Sequence, residues 1–236
     1  MTDAVKSSAG KAARKAKAEA TRTRILQAAH QMLRADGYDA TTMTSVAAEA
    51  GVAVQTVYFT FRTKAQLLLD VLRLAAASGP DGPLSGWKWV SAAATASDPR
   101  RTLALCAEHG IDSLARTAVL NVAVRTAAMA ESDVAIQWQR ICDERRAGVT
   151  HILAGLAARH PLRTGLTIEQ ASDILSVVPN AETFLDLTQG CGWPIEQVKA
   201  WTYRLYCEQL LGETAPDDQP SPSPTSDLSF HNRLST

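Results

Sequence analysis

The chain has 236 residues, 46% of them apolar, and its 24 Lys and Arg balance 24 Asp and Glu. This length suffices for a small head and a larger body with a sizeable core. No apolar run is long enough to span a bilayer, and the basic N-terminus lacks the apolar centre of a signal peptide, so we expect a cytoplasmic protein without a membrane partner.

The charge is distributed unevenly along the chain. Residues 1–77 hold 11 Lys and Arg against 6 Asp and Glu, whereas residues 78–236 hold 13 against 18. A basic front part favours phosphate attraction at one end, although a charged run is usually just a solvated face. Residues 1–20 are basic among Ala and Ser and are predicted to be a flexible arm. Two interpretations of this arm stay open: it follows DNA phosphates, or it only keeps the chain soluble.

Ala-rich and Leu-rich windows with few alternating β-branched runs predict an all-α fold. A first helix is predicted over Thr21–Asp36, because apolar residues recur there at helical spacing and Gly37 can stop it. A further helix is predicted over Lys64–Ala77 with a Leu-rich stripe. The segment Ser78–Gly86 holds three Gly and two Pro and marks the boundary between head and body.

The most specific signal lies between these two helices. A short helix over Met43–Ala50, a tight turn at Gly51 and a second short helix over Ala53–Phe59 form a helix-turn-helix. Thr42 is the expected N-cap of the first short helix. The second helix can lie in the major groove, so we predict a domain over residues 21–77 that binds double-stranded operator DNA.

Polar side chains of this unit are the candidate DNA contacts. Gln55 can pair with adenine, and Thr56 can touch a base edge or a thymine methyl. Tyr58, Thr60 and Lys64 are better placed for phosphates, which set register rather than sequence. Alternatively Tyr58 packs the head against the following helix, and this packing role is favoured for Phe61. The full predicted set is Thr42, Thr44, Val54, Gln55, Thr56, Tyr58, Thr60 and Lys64.

The segment resembles the N-terminal domain of the tetracycline-repressor (TetR) family of bacterial transcriptional regulators. The similarity is carried by TRILQAAHQMLRADGYDATTM, VAAEAGV and TVYFTFRTKAQLL, about 50 of 236 residues. It implies a homodimer, a three-helix head, and a larger helical body that binds an unknown small-molecule effector and then releases the operator. The family often has Ser, Gly and His where Ala53, Gln55 and Thr60 stand, so the operator sequence does not carry over from relatives.

The body, residues 78–211, is predicted to be helical and to hold the effector and dimerisation surfaces. Expected helices are Pro99–Ser113, Leu114–Met129, Val134–Arg159, Ile168–Gln189 and Pro194–Leu211, with a kink or break near Val178 because of Pro179. The last two resemble the ending of the family, and their apolar stripes could build a four-helix dimer interface or merely close each protomer's core. The interface candidates are Leu175, Val178, Leu185, Val198, Trp201 and Leu205. The Pro-rich tail, 212–236, is predicted to be disordered.

The candidates for effector contacts are a few polar or large residues in the middle of the body. Each of them could instead be an ordinary core or surface residue. The candidates are His109, Asn121, Arg125, Met129, Trp138 and Asn180. The four cysteines form no C-x-x-C pair and are expected to be reduced, with a redox-sensing thiol as the alternative.

A sequence-specific DNA-binding repressor released by a small molecule is the main functional prediction. An activator or an effector-independent regulator is the alternative. No nucleophile elbow, phosphate loop, H-E-x-x-H or dinucleotide fingerprint occurs, so an enzyme is a distant third. We expect no catalytic residues, no metal and no cofactor.

Overall fold

The computed structural model describes residues 2–77 and 88–212, and within these ranges the chain is helical without strands, as the all-α prediction requires. None of the helices in the described ranges combines the length and the apolar character that crossing a membrane needs. The predicted domain boundary at 78–86 and the predicted tail from residue 213 onward lie outside the described residues.

Five helices form the head. They are α1 (Thr2–Ala35), α2 (Gly37–Ala40), α3 (Met43–Glu49), α4 (Val54–Phe61) and α5 (Lys64–Ala77). The helix α1 begins at Thr2 rather than at Thr21, so the segment predicted to be a flexible arm, residues 1–20, is drawn as part of α1. This segment is rich in Ala, Lys, Arg and Glu, which have high helix propensity. They extend α1 at little cost in free energy once its packed C-terminal part has formed. The single turn α2 follows Gly37, which has φ +79° and was expected only to stop α1.

Six helices form the described body. They are α6 (Lys88–Thr95), α7 (Pro99–Ala130), α8 (Ser132–Ala157), α9 (Ile168–Val177), α10 (Ala181–Leu185) and α11 (Ile195–Tyr206), with π-helical turns at Asp186–Gly190 and Cys207–Leu211. The two helices predicted over 99–129 are one continuous helix, since no breaker stands between Ser113 and Leu114. The break predicted near Val178 is confirmed, because α9 ends at Val177 and α10 begins at Ala181.

The core runs from the head into the body without interruption. One cluster of buried residues joins α1, α3, α4 and α5 to the C-terminal half of α7, through Leu120, Val124 and Ala127, and to Val134 at the start of α8. A second cluster lies among α6, α7, α8, α9 and α11, and a third joins α7 to α10 and α11. The head is therefore seated on the α7–α8 end of the body by shared apolar burial.

The helices α6 and α8 approach each other closely at one glycine. A Cβ on Gly155 would lie 2.4 Å from the backbone oxygen of Ala94. One turn later, Arg159 donates from Nη2 to the same oxygen (2.5 Å) and from Nε to Ala96 O (3.2 Å). Glycine lets the backbones meet here, and the guanidinium satisfies carbonyls at the end of α6 that have no helical partner.

Candidate nucleic-acid interface

The first helix of the predicted helix-turn-helix, α3, is fixed by its own cap. The Thr42 hydroxyl accepts from the Ser45 backbone N–H (3.0 Å), and the Ser45 hydroxyl accepts from the Thr42 backbone N–H (3.0 Å). This reciprocal pair is a capping box with Ser in the position that Glu or Gln usually takes. The prediction of Thr42 as N-cap is confirmed. Thr44, two positions further, is exposed.

A glycine turn sets the angle between α3 and α4. Gly51 has φ +62°, a left-handed conformation that side chains with a Cβ rarely adopt. Its N–H donates to Ala48 O (3.1 Å), and the next N–H, of Val52, donates to Ala47 O (3.0 Å). Val46 and Ala47 of α3 pack on Val57 of α4, and all three are essentially fully buried. The turn and this small apolar seam hold α4 at one fixed orientation.

The helix α4 has one buried face and one exposed face. Val57 and Phe61 point into the core, which confirms the packing interpretation of Phe61. On the opposite side Gln55 is exposed, Tyr58 is 50% exposed and Phe59 is 90% exposed. An α-helix with its side chains is about 10–12 Å across, which fits the roughly 12 Å width of the major groove.

Three of the residues on α4 that are predicted to contact DNA have less exposed side chains than the sequence suggested. Val54 is half-buried and packs on the head core. Thr56 is half-buried, and Thr60 donates its hydroxyl hydrogen to the Thr56 carbonyl (2.7 Å). Phe59 was not predicted, although it stands two positions from each inward residue, Val57 and Phe61, and therefore on the outer face of a helix.

The exit from α4 is a strained turn. Arg62 has φ +61° and ψ −52°, and the Thr63 N–H donates to Phe61 O (2.6 Å) across it. These values describe a classic γ-turn, which is rare for a residue with a Cβ. The Thr63 hydroxyl then accepts from Gln66 N–H (3.0 Å) and caps α5. The bend lets α5 turn away sharply from the exposed face of α4.

Lys64, predicted as a phosphate contact, leans on the head itself. Its ammonium lies 4.0 Å from the centroid of the Tyr38 ring and donates to Asp39 O (3.4 Å). Cation–π contact and this hydrogen bond attach the start of α5 to α2. Burial, with Glu131 and Asp39 nearby, raises the pKa of Tyr38, so the ring stays neutral beside the ammonium.

An aspartate on α5 ties the first helix to the linking helix. Asp70 accepts from Arg22 of α1 at 2.7 Å, and the same guanidinium lies 4.7 Å from the centroid of the Phe61 ring. Arg22 therefore bridges three helices of the head. Charge-assisted bonds of this kind are stronger than neutral ones, the more so when partly buried.

The same carboxylate extends the polar contact to the body. Asp70 also accepts from Arg73 (3.0 Å) and Gln66 (3.2 Å). Gln137 of α8 accepts from Arg73 (2.9 Å) and donates to Gln66 (3.1 Å). This Asp70 network, comprising Arg22, Gln66, Asp70, Arg73 and Gln137, joins α1, α5 and α8. It lies beside the apolar seam through which head and body share a core.

The predicted effector residues do not form one cluster. Met129 is 84% exposed at the end of α7, and Arg125, also exposed, pairs with Glu182 of α10. Asn180 is exposed and accepts from Thr183 N–H (2.8 Å), so it caps α10. In this structure Met129 is thus a surface residue, Arg125 an ion-pair residue and Asn180 a capping residue.

The other three effector candidates are at least partly buried. His109 stacks on Trp89 with ring centroids 4.7 Å apart. Asn121 is buried in α7 and donates to the Thr117 hydroxyl (3.1 Å). Trp138 packs on the head core at the start of α8. They lie at separate levels of the body.

The predicted dimer residues divide into two groups. Val198 is 0% and Leu175 8% exposed, and both are held in the protomer's own core, so these two assignments are corrected. The other four residues are partly exposed: Val178, Leu185, Trp201 and Leu205. Trp201 meets Trp193 edge to face, with centroids 6.4 Å apart. Helical stripes alone did not separate the inward from the outward side of these helices.

Comparison with known proteins agrees with this geometry. The family model described as "Bacterial regulatory proteins, tetR family" matches residues 25–71. A comparison with curated protein sequences finds no match. Several solved structures share the fold over most of the chain.

Three of these structures illustrate the similarity. A putative TetR-family transcriptional regulator from Mesorhizobium loti is 20% identical with a TM-score of 0.63, covering 82% of this chain and 98% of that one. A putative transcriptional regulator from Saccharomonospora viridis, in complex with choline, is 17% identical with a TM-score of 0.66, at 82% and 98% coverage. NalD from Pseudomonas aeruginosa, the secondary repressor of the MexAB-OprM multidrug efflux pump, is 21% identical with a TM-score of 0.59, at 82% and 98% coverage.

The capped α3, the glycine turn and the half-exposed α4 thus coincide with the segment that the family model matches. The chain therefore carries, over residues 25–71, the N-terminal domain of the tetR family of bacterial regulatory proteins, set on a helical body with the fold of TetR-family transcriptional regulators.

Proposed function

We propose that the protein is a dimeric, sequence-specific DNA-binding repressor that a small molecule releases from its operator. The observation that carries the DNA-binding part is the division of α4 into a fully buried face and an exposed face with Gln55 and Tyr58. A rigid short helix with a hydrogen-bonding outer face is what major-groove reading needs.

Charge supports the same orientation. The N-terminal part of α1 carries Arg14, Lys15 and Lys17, all exposed. Exposed cations attract phosphates without reading sequence, and each neutralised phosphate adds to the salt dependence of binding.

Release by an effector is supported by how head and body are joined. The apolar seam and the Asp70 network connect α1 and α5 to α7 and α8, so a small rearrangement of the body is passed to the head. A fold neighbour is in complex with choline and another is a named repressor. Those names belong to proteins about 20% identical, and the effector of this chain is left open.

The proposed second copy packs on the half-exposed apolar residues of α9 to α11. Val178, Leu185, Trp201 and Leu205 offer an isologous surface that two copies can share. Two heads are then held at a fixed distance, as two half-sites of an operator require.

The test of DNA binding uses duplexes selected from a random pool by the purified protein. We expect binding that weakens steeply as salt rises from about 50 to 200 mM. Thr56→Ala combined with Tyr58→Ala should abolish it, while Thr126→Ala, an exposed body threonine, should leave it unchanged. Equal binding by the double variant would refute α4 as the recognition helix.

The oligomeric state is tested separately by light scattering. The wild type should be a dimer at micromolar concentration, and Leu205→Asp should shift it towards monomer, because a charge would be buried unpaired in the interface. A wild type that stays monomeric would remove the proposed dimer and leave the DNA-binding result to be judged by itself.

A further inference from the structure

The recognition helix carries an apolar side chain that the protein itself does not cover. Phe59 is the most exposed large apolar residue of the described part of the chain, at 90%. It lies on the outer face of α4, four residues after Gln55 and three before Arg62, both exposed. Its ring is therefore available to a molecule that docks on the outer face of α4, and covering it would bring the gain of apolar burial.

The surroundings of Phe59 identify the chemistry of that partner. The helix α4 has no acidic residue, and its exposed face otherwise offers an amide, a phenol and a guanidinium. One exposed face of an eight-residue helix is much smaller than the roughly 800 Å² per side that a stable protein interface needs. The exposed face of α4 is complementary to a surface that presents hydrogen-bonding groups and single, separated apolar groups. The edges of base pairs in the major groove have one apolar group, the C5-methyl of thymine.

We propose that Phe59 packs on a thymine methyl in the operator and makes that thymine a specificity determinant. Gln55 lies about one helical turn away, about 6 Å along the axis of α4, and can pair with an adenine near that thymine. Cytosine in its place would put an unpaired N4 amino group against the ring, which costs affinity.

This inference rests on the proposed DNA binding but makes a separate prediction. Replacing a thymine by uracil removes only the methyl group and leaves base pairing intact. If Phe59 covers that methyl, one uracil should weaken binding by about fourfold, and uracil in both half-sites by about 16-fold, the effect of losing one or two buried methyl groups.

The experiment measures binding of the selected duplex with uracil substituted at one thymine position at a time. Wild-type protein should lose affinity at one thymine per half-site. Phe59→Ala should bind the thymine duplex more weakly and should no longer distinguish thymine from uracil there. Phe59 makes little contact with the protein, so the variant keeps its fold, which circular dichroism checks.

Met129→Ala is the matched control, because Met129 is almost as exposed but lies on α7. It should retain both the affinity and the uracil effect of the wild type. The inference is overturned if Phe59→Ala keeps the uracil effect, if no thymine position is sensitive, or if Phe59→Ala instead dissociates the dimer. A wild type that binds no duplex would refute the proposed function itself, which separates the two failures.

Discussion

Replacing Gly155 by alanine should destabilise the body, although alanine is the better helix former. The added Cβ would lie 2.4 Å from Ala94 O, 3.2 Å from Ala94 C and 3.3 Å from Ala94 Cα. Carbon and oxygen normally approach no closer than about 3.3 Å, so α6 must retreat by about 0.9 Å. The displaced carbonyl is also the acceptor for Arg159.

The magnitude follows from two opposing terms. Forcing extra volume into a packed helix contact costs about 3 kcal/mol at the upper end of the usual range. Removing a glycine from a helix interior returns about 1 kcal/mol. The net loss is about 2 kcal/mol, which for a chain of this size lowers Tm by about 4–8 °C.

Gly148→Ala is the matched control, because it lies in the same helix and its added Cβ meets nothing within 4 Å. It should raise Tm by about 2–4 °C through helix propensity alone. Thermal unfolding followed by circular dichroism measures both variants under one set of conditions. Shifts of the same sign for the two substitutions would refute the close packing of α6 on α8.

Three further predictions concern titration, thiols and the joint between head and body. Burial and the nearby Arg34 lower the pKa of His30, so the folded head binds fewer protons than the unfolded chain and loses stability as pH falls below about 6.5. The variant His30→Gln should therefore show a smaller difference in Tm between pH 7.5 and pH 5.5 than the wild type. An unchanged difference would contradict this assignment. Iodoacetamide at pH 8 should label the exposed Cys191 of the native protein but not Cys106, because burial raises the pKa of the Cys106 thiol to about 12. Mass spectrometry measures the labelling of each cysteine, and equal labelling would refute the burial of Cys106. The variant Asp70→Asn weakens two charge-assisted bonds and should lower the free energy of unfolding, measured with denaturant, by about 1–3 kcal/mol. The control variant Asp133→Asn changes an exposed residue and should lower it little. Equal losses would contradict a stabilising role of the Asp70 network.

The sequence alone determined the features that depend on neighbours within a few residues. The Thr42 cap, the turn at Gly51 and the break at Pro179 each follow from one residue's own hydrogen bonding or backbone freedom. Inward packing of Phe61 also followed, because the helical period places it on the face of Val57.

Only the tertiary structure decided which surfaces remain open. Val198 and Leu175 belong to apolar stripes that could face a partner or the protomer's core, and helical period is the same in both cases. Packing of α7 against α11 buries Val198, whereas nothing in the described chain packs over Phe59. The joining of α1, α5 and α8 through Asp70 depends on hydrogen bonds between residues up to 71 positions apart, a distance over which local pattern carries no information. Local chemistry thus determined the helix-turn-helix. Long-range packing determined which of its side chains stay exposed and how the head is joined to the body.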